Sequence, residues 1–320
     1  MASVLNEAYF HDEAAAFAAL ETILWPEGPI CPLCGNHDAA KIGVLKGVRT
    51  MPSKKNPNGV ERLGLKKCYA CRGQFNVRKG TVFESSHLKL HQWFQAAYLL
   101  CSSKKGISSN QLSRTLGCTI KAAWFASHRI REAMREGELA VPFGIGGGAV
   151  EVDETFIGKR RGLTKKSAYH HKMKVLTLVD RKTGMAHSTV LDRLTLPEIR
   201  KIMLKNMSHE ARLMTDEANH YSKIGKDYAD HQVVNHSAEE YVRGEAHTNT
   251  AEGYFSIFKR GMKGVYQHCR EKHLHRYMAE FDFRYNHRTA QGVSDMGRTT
   301  VALFGAKGKR LTYRAAGGNT

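Results

Sequence analysis

No apolar run in this chain approaches the roughly 20 residues that a helix needs to span a bilayer. Residues 14–20 and 94–101 are among its apolar stretches, and both are far shorter. The first residues also lack a basic segment ahead of a signal-type apolar core, so neither membrane insertion nor secretion is expected. Acidic residues are scarce. Only 30 Asp and Glu stand against 49 Lys and Arg, a formal net charge of +19, with an isoelectric point near 9.7. Such an excess favours a polyanionic partner, because basic side chains displace the counterions condensed on nucleic acid. A ribosome-associated or simply soluble basic protein is the plainer reading. Cysteine is sparse as well. There are seven, and four of them form two CxxC pairs. That pattern fits a reducing cytoplasm with metal-bound thiolates better than a disulfide framework. No internal repeat is present.

At 320 residues the chain is long enough for two or three domains. Residues 10–25 read as a short helix with Asp12 as its N-cap, ended by Pro26 and Gly28. Residues 43–62, rich in Lys, Asn, Pro and Gly, read as a loop or ragged hairpin. Helical spacing returns from His91. Gly144-Ile-Gly-Gly-Gly148 cannot hold a helix and marks a boundary. A dinucleotide-binding loop is excluded there, because that fingerprint follows its strand and this run precedes one.

Beyond the boundary, strands are expected at 149–157, 173–180 and 185–192, then a helix at 195–206 with Pro197 in its first turn. A strand at 211–216, a helix at 219–228, a strand at 231–235 and a long helical region from 248 follow. The order β-β-β-α-β-α-β-α predicts an RNase H-like, retroviral integrase-type mixed sheet. The expected organisation is an α/β multidomain chain. An N-terminal helix and zinc ribbon fill 1–90, a helix-turn-helix region 91–143, a catalytic domain 149–290, and a basic tail 291–320, mobile from Gly305.

Cys31-Pro-Leu-Cys34-Gly35 and Cys68-Tyr-Ala-Cys71-Arg-Gly73 are two knuckles that supply four thiolates to a tetrahedral Zn2+. Thirty-three residues separate Cys34 from Cys68, so an inserted loop is implied. Four protein ligands leave no open position, which makes the metal structural; two copies in a basic chain argue against a redox CxxC. Further on, residues 106–117 and 118–134 read as two helices joined at Gly117. Ile107, Leu112, Leu116, Trp124 and Ile130 would pack inside. Lys121, Ser127, His128 and Arg131 would lie near the exposed side, with Lys121 and Arg131 as DNA contacts. Any helical hairpin gives a similar pattern, and only its neighbours lend this one a DNA-binding sense.

Asp153 lies in an alternating β-branched strand, Asp216 closes a second apolar run, and Glu252 sits on a helix. An isolated Asp at a strand end is usually a cap, and a Glu on a helix is usually solvated. Their joint arrangement reverses that: strand, strand, helix is the carboxylate placement of RNase H-like nucleotidyl transferases. Thirty-five residues separate Asp216 from Glu252, matching the D-x35-E spacing of many transposases and integrases. Phosphodiester transfer of this kind uses two Mg2+ ions about 4 Å apart, for which Mn2+ can substitute, held by carboxylates. Glu151, Glu154 and Glu217 are neighbouring acids that compete for the assignment. Lys159, Arg160, Arg161, Lys165 and Lys166 open an acid-free stretch after the first strand, read as a phosphate-gripping loop or a solvated hairpin tip.

His247-Thr-Asn-Thr-Ala-Glu252, Phe258-Lys-Arg-Gly261 and Phe283-Arg-Tyr-Asn-His-Arg288 resemble the transposases of insertion-sequence family 1595, relatives of the eukaryotic Merlin transposons. The resemblance covers roughly residues 10 to 290. It implies that Asp153, Asp216 and Glu252 are the metal-binding catalytic acids and that Lys259 contacts DNA, with Asn249 binding DNA or orienting water. It implies a bacterial, cytoplasmic, nucleoid-associated enzyme that acts on terminal inverted repeats and target DNA, at least dimeric in its DNA complex. A nuclease without strand transfer and an inactive DNA-binding regulator are the competing readings.

Overall fold

The computed structural model describes residues 3–54, 56–160, 162–164, 169–234, 242 and 244–312. The chain divides into two compact units, one formed by residues 1–103, 108–134 and 295–320, the other by 104–107 and 135–294.

The first unit opens with helix α1 (Glu13–Leu24), whose N-cap Asp12 accepts the Ala15 N–H at 2.7 Å. Strands β1 (Ile42–Val44), β2 (Lys66–Cys68) and β3 (Gln74–Phe75) form a small antiparallel sheet in that order. Helices α2 (Leu90–Ser102), α3 (Ser109–Leu116) and α4 (Ile120–Met134) follow. Ser108 caps α3, and Gly117 ends it at φ 62°, a left-handed turn that glycine adopts without strain. Thr119 Oγ1 accepts the Ala122 N–H at the start of α4. The helix Asp295–Phe304, α9, belongs to this unit, where its Arg298 donates to the Cys101 carbonyl at 2.6 Å. Residues expected as the start of a basic tail therefore hold a packed helix.

The second unit is built on strands β4 (Ala149–Ile157), β5 (Met173–Asp180), β6 (Met185–Leu191), β7 (Arg212–Thr215) and β8 (Asp230–Val233), with helices α5 (Leu196–Asn206) and α6 (Asn219–Ile224) between them. Helices α7 (Asn249–Gly261) and α8 (Glu271–Asn286) complete it. The sheet order is β6-β5-β4-β7-β8, antiparallel on the β5 side of β4 and parallel on the β7 side. This is the RNase H-like topology, and each expected strand lies within two residues of its predicted bounds. Three of the expected boundary glycines, Gly144, Gly146 and Gly147, take φ of 77°, 69° and 77°, which a side chain would strain.

Both sheet faces are covered, as a mainly apolar β4 requires. Val150, Val152, Leu176 and Leu213 pack with Ile199 and Met203 of α5 and with Tyr221 of α6. Val175 and Val179 on the other face pack with Tyr254, Phe255 and Phe258 of α7 and with Leu274 and Phe281 of α8. Because side chains alternate along a strand, Glu151 and Asp153 share the face opposite to Val150 and Val152.

Candidate active site and metal centre

β4 and β7 run parallel with Glu151 beside Met214. Continuing that register by two residues sets Asp153 against Asp216, the residue just past the end of β7. Glu252 enters from the first turn of α7. The buried side of α7 carries Ala251, Tyr254, Phe255 and Phe258, while Glu252 is exposed. The half-buried Asp153 carboxyl is pushed up to about 7, first by desolvation and then by the charges of Asp216, Glu154 and Glu252. Three acids thus share one field. Their mutual repulsion is relieved only by protons or by cations, and hard divalent ions take carboxylate oxygens. The donor set fits Mg2+.

Asp216 Oδ1 accepts the Ala218 N–H at 3.1 Å. Glu154, on the opposite face of β4, accepts from the Tyr221 hydroxyl at 2.5 Å. Thr248 Oγ1 donates to Glu252 at 3.3 Å. Lys259, half-buried and seven residues beyond Glu252, lies over the Phe255 ring at 5.9 Å, and Asn249 is exposed one turn before Glu252. Lys159 is exposed, whereas Arg160 pairs with Glu271 at 2.7 Å and donates to the Asp192 carbonyl. Arg161, Lys165 and Lys166 lie outside the described residues.

A group that periodicity did not single out holds this arrangement. Glu151 is fully buried, and Arg181 Nε donates to it at 2.6 Å. Thr250 Oγ1 donates to the same carboxylate at 2.7 Å and the Ala251 N–H at 2.9 Å. The N-cap residue of α7, Thr248, makes no side-chain cap of its own. A strand carboxylate therefore caps the helix that carries Glu252, where the helix dipole also favours negative charge. Arg181 further donates to the carbonyls of Glu245 and His247 and to His247 Nδ1, all within 2.8 Å. His247 is thus a hydrogen-bonding residue. The available signal was an acid inside an apolar strand, which cannot stay buried without a partner.

In the first unit, Cys31, Cys34, Cys68 and Cys71 place their sulfurs within 4.8 Å of one another. The Cys31–Cys71 and Cys34–Cys68 separations are both 3.7 Å. A tetrahedron with Zn–S bonds of about 2.3 Å has edges of about 3.8 Å, so the cluster fits Zn2+. The Cys71 and Ala70 N–H groups, opposed by desolvation, hold the Cys68 thiol down at about 7. The Asn36 N–H pulls Cys34 the same way, but neighbouring sulfurs and desolvation drive it up to about 12.

Lys121 is exposed near the start of α4, as expected. Arg131 is not. It is 1% exposed and donates to Ser127 Oγ at 3.0 Å, and Ser127 and His128 are buried too. Every residue from Ala126 to Met134 is buried, so this half of α4 is enclosed all round and has no solvent face for periodicity to predict.

The sheet order defines an RNase H-like fold. The ISXO2-like transposase domain matches residues 146–286, and the transposase zinc-ribbon domain matches residues 11–74. Both domains are those of insertion-sequence family 1595, and the chain belongs to that transposase family. It is similar to an uncharacterized protein in the transposable element ISH50 of Halobacterium salinarum, 26% identical over 267 residues, covering 78% of this chain and 83% of that protein. A chain in the cryoEM structure of the simian T-cell lymphotropic virus intasome in complex with PP2A regulatory subunit B56 gamma is 12% identical, with 60% of this chain and 65% of that chain covered. Its TM-score of 0.29 is too low to carry an argument. Among the described residues, no helix is long and apolar enough to cross a membrane.

Proposed function

We propose that this transposase cuts DNA at the ends of its insertion sequence and joins the freed 3′-hydroxyl to target DNA by two successive in-line displacements at one site. The observation that carries the reading is the β4–β7 register with α7 above it, which brings Asp153, Asp216 and Glu252 into one field. These three side chains would hold two Mg2+ ions, which when bound activate the attacking oxygen and stabilise the leaving one. No side-chain nucleophile is required. Lys259 and Asn249 share the face of α7 that carries Glu252, on a regular helix of 3.6 residues per turn, and would contact the DNA backbone. Lys159 would grip phosphate from the loop after β4. In the first unit, α3 and α4 form a helix-turn-helix that presents Lys121 to the terminal repeats. The cysteine cluster holds a structural Zn2+, and the pairing of two element ends requires at least a dimer.

Asp216→Asn tests the site. Gel-shift binding of an end duplex stays within about twofold, while cleavage in Mg2+ or Mn2+ falls by at least about three orders of magnitude, in line with losing a charge-stabilising group. Cleavage at the wild-type rate would remove Asp216 from the site.

A further inference from the structure

Between β1 and β2 the zinc ribbon carries an insertion that runs out and back as a two-stranded arm. The Leu45 N–H donates to the Leu65 carbonyl, Arg62 to Val48 and Thr50 to Val60, all at 2.8–2.9 Å. Arg49 pairs with Glu61 across the arm and donates to the carbonyls of Asn58 and Gly59 near its tip. Gly59, at φ +65°, could not carry a Cβ, which would fall 2.1 Å from the Thr50 carbonyl oxygen. The arm is therefore ordered by its own bonds. Yet it is largely bare: of the described residues from Lys46 to Arg62, all but Val48 and Gly59 are exposed, and the exposed Arg62 donates to Gln74 Oε1 of β3 at 3.2 Å.

A bare two-stranded ribbon is marginal in water, and exposed apolar side chains on it gain nothing from folding. Met51 is nonetheless 86% exposed and Val60 49%. Around them stand Lys46, Arg49, Lys54 and Arg62 against a single acid, Glu61. Lys46 and Lys54 have no ion-pair partner among the described residues. A narrow, basic, apolar-tipped ribbon is complementary to a DNA groove, which admits a two-stranded β-ribbon between two rows of phosphates.

We propose that this arm is a second duplex-DNA contact, separate from α4 and from the carboxylate site, with Lys46, Lys54 and Arg62 on phosphates and Met51 against the groove. The inference rests on the reading that the chain binds DNA. It is tested with the full-length, zinc-loaded protein by titrating a fluorescent duplex over a potassium chloride series. Each phosphate contact contributes about 0.9 to the slope of log affinity against log salt. The triple variant K46Q/K54Q/R62Q is therefore expected to lose roughly 2 to 3 from that slope, with zinc content and melting temperature unchanged. An unchanged slope overturns the proposal. A wild-type protein that shows no salt-dependent duplex binding would instead refute the DNA reading itself. Met51→Ala is expected to weaken binding several-fold at an unchanged slope, and unaltered affinity would overturn the groove contact.

Discussion

Glu151 and Asp153 are two residues apart on one strand face, and their surroundings give them opposite fates. Glu151 is enclosed by a guanidinium, a hydroxyl and a helix N–H. Asp153 meets other carboxylates. The first is a structural charge and the second a candidate ligand. Removing one partner of a buried ion pair costs about 3–5 kcal/mol, because the other charge stays buried unpaired. Glu151→Ala should lower stability by about that amount in urea titration, whereas Glu151→Gln, which keeps an acceptor for the Ala251 N–H, should cost less. Equal losses would contradict the capping role. Asp282 carries a pH dependence of its own. Burial pushes its carboxyl from 3.8 up to about 7, against hydrogen bonds from Tyr254 and Ser188. The folded protein then binds more protons than the unfolded chain between these values, so the contribution of Asp282 is full below about pH 4 and is lost as pH rises to about 7. Melting temperature across that interval should fall less steeply in Asp282→Asn; an unaltered profile would exclude Asp282 as the cause.

At the scale of elements, the sheet was legible because its strands are short apolar, β-branched runs bounded by polar or glycine-marked turns. Asp153 on β4 and Asp216 just past β7 were located for the same reason, each being tied to a recognisable strand. What escaped was long-range packing. Helix α9 lies in the first unit although it follows the catalytic domain in sequence, a return that no local pattern encodes. Arg181 reaches Glu151 from a turn thirty residues away. Helix α4 shows the limit within one element, since Lys121 is exposed where periodicity puts it and Arg131 is not. The two residues should separate experimentally. Lys121→Ala should weaken end binding at unchanged melting temperature. Arg131→Ala should lower the melting temperature by several degrees, as expected for a buried hydrogen-bonded charge. The reverse pattern would contradict the assigned burial.

For the whole molecule, a charge of +19 sits on a chain in which Asp153, Glu154, Asp216 and Glu252 share one electrostatic field. In the proposed function, basic surface would draw in the polyanion, and divalent cations would offset both the acids and the phosphates. In that proposal the zinc ribbon and helices of the first unit would bind DNA and the RNase H-like unit would carry out the chemistry, with no covalent protein–DNA bond required. The most direct test of that account is strand transfer by purified protein on a labelled element-end duplex in Mg2+, run beside Asp153→Asn. The account predicts joined products with the wild type and none with the variant, which still binds the duplex. Specific binding without cleavage or joining by the wild type in either Mg2+ or Mn2+ would contradict it and leave a DNA-binding protein with a silent core.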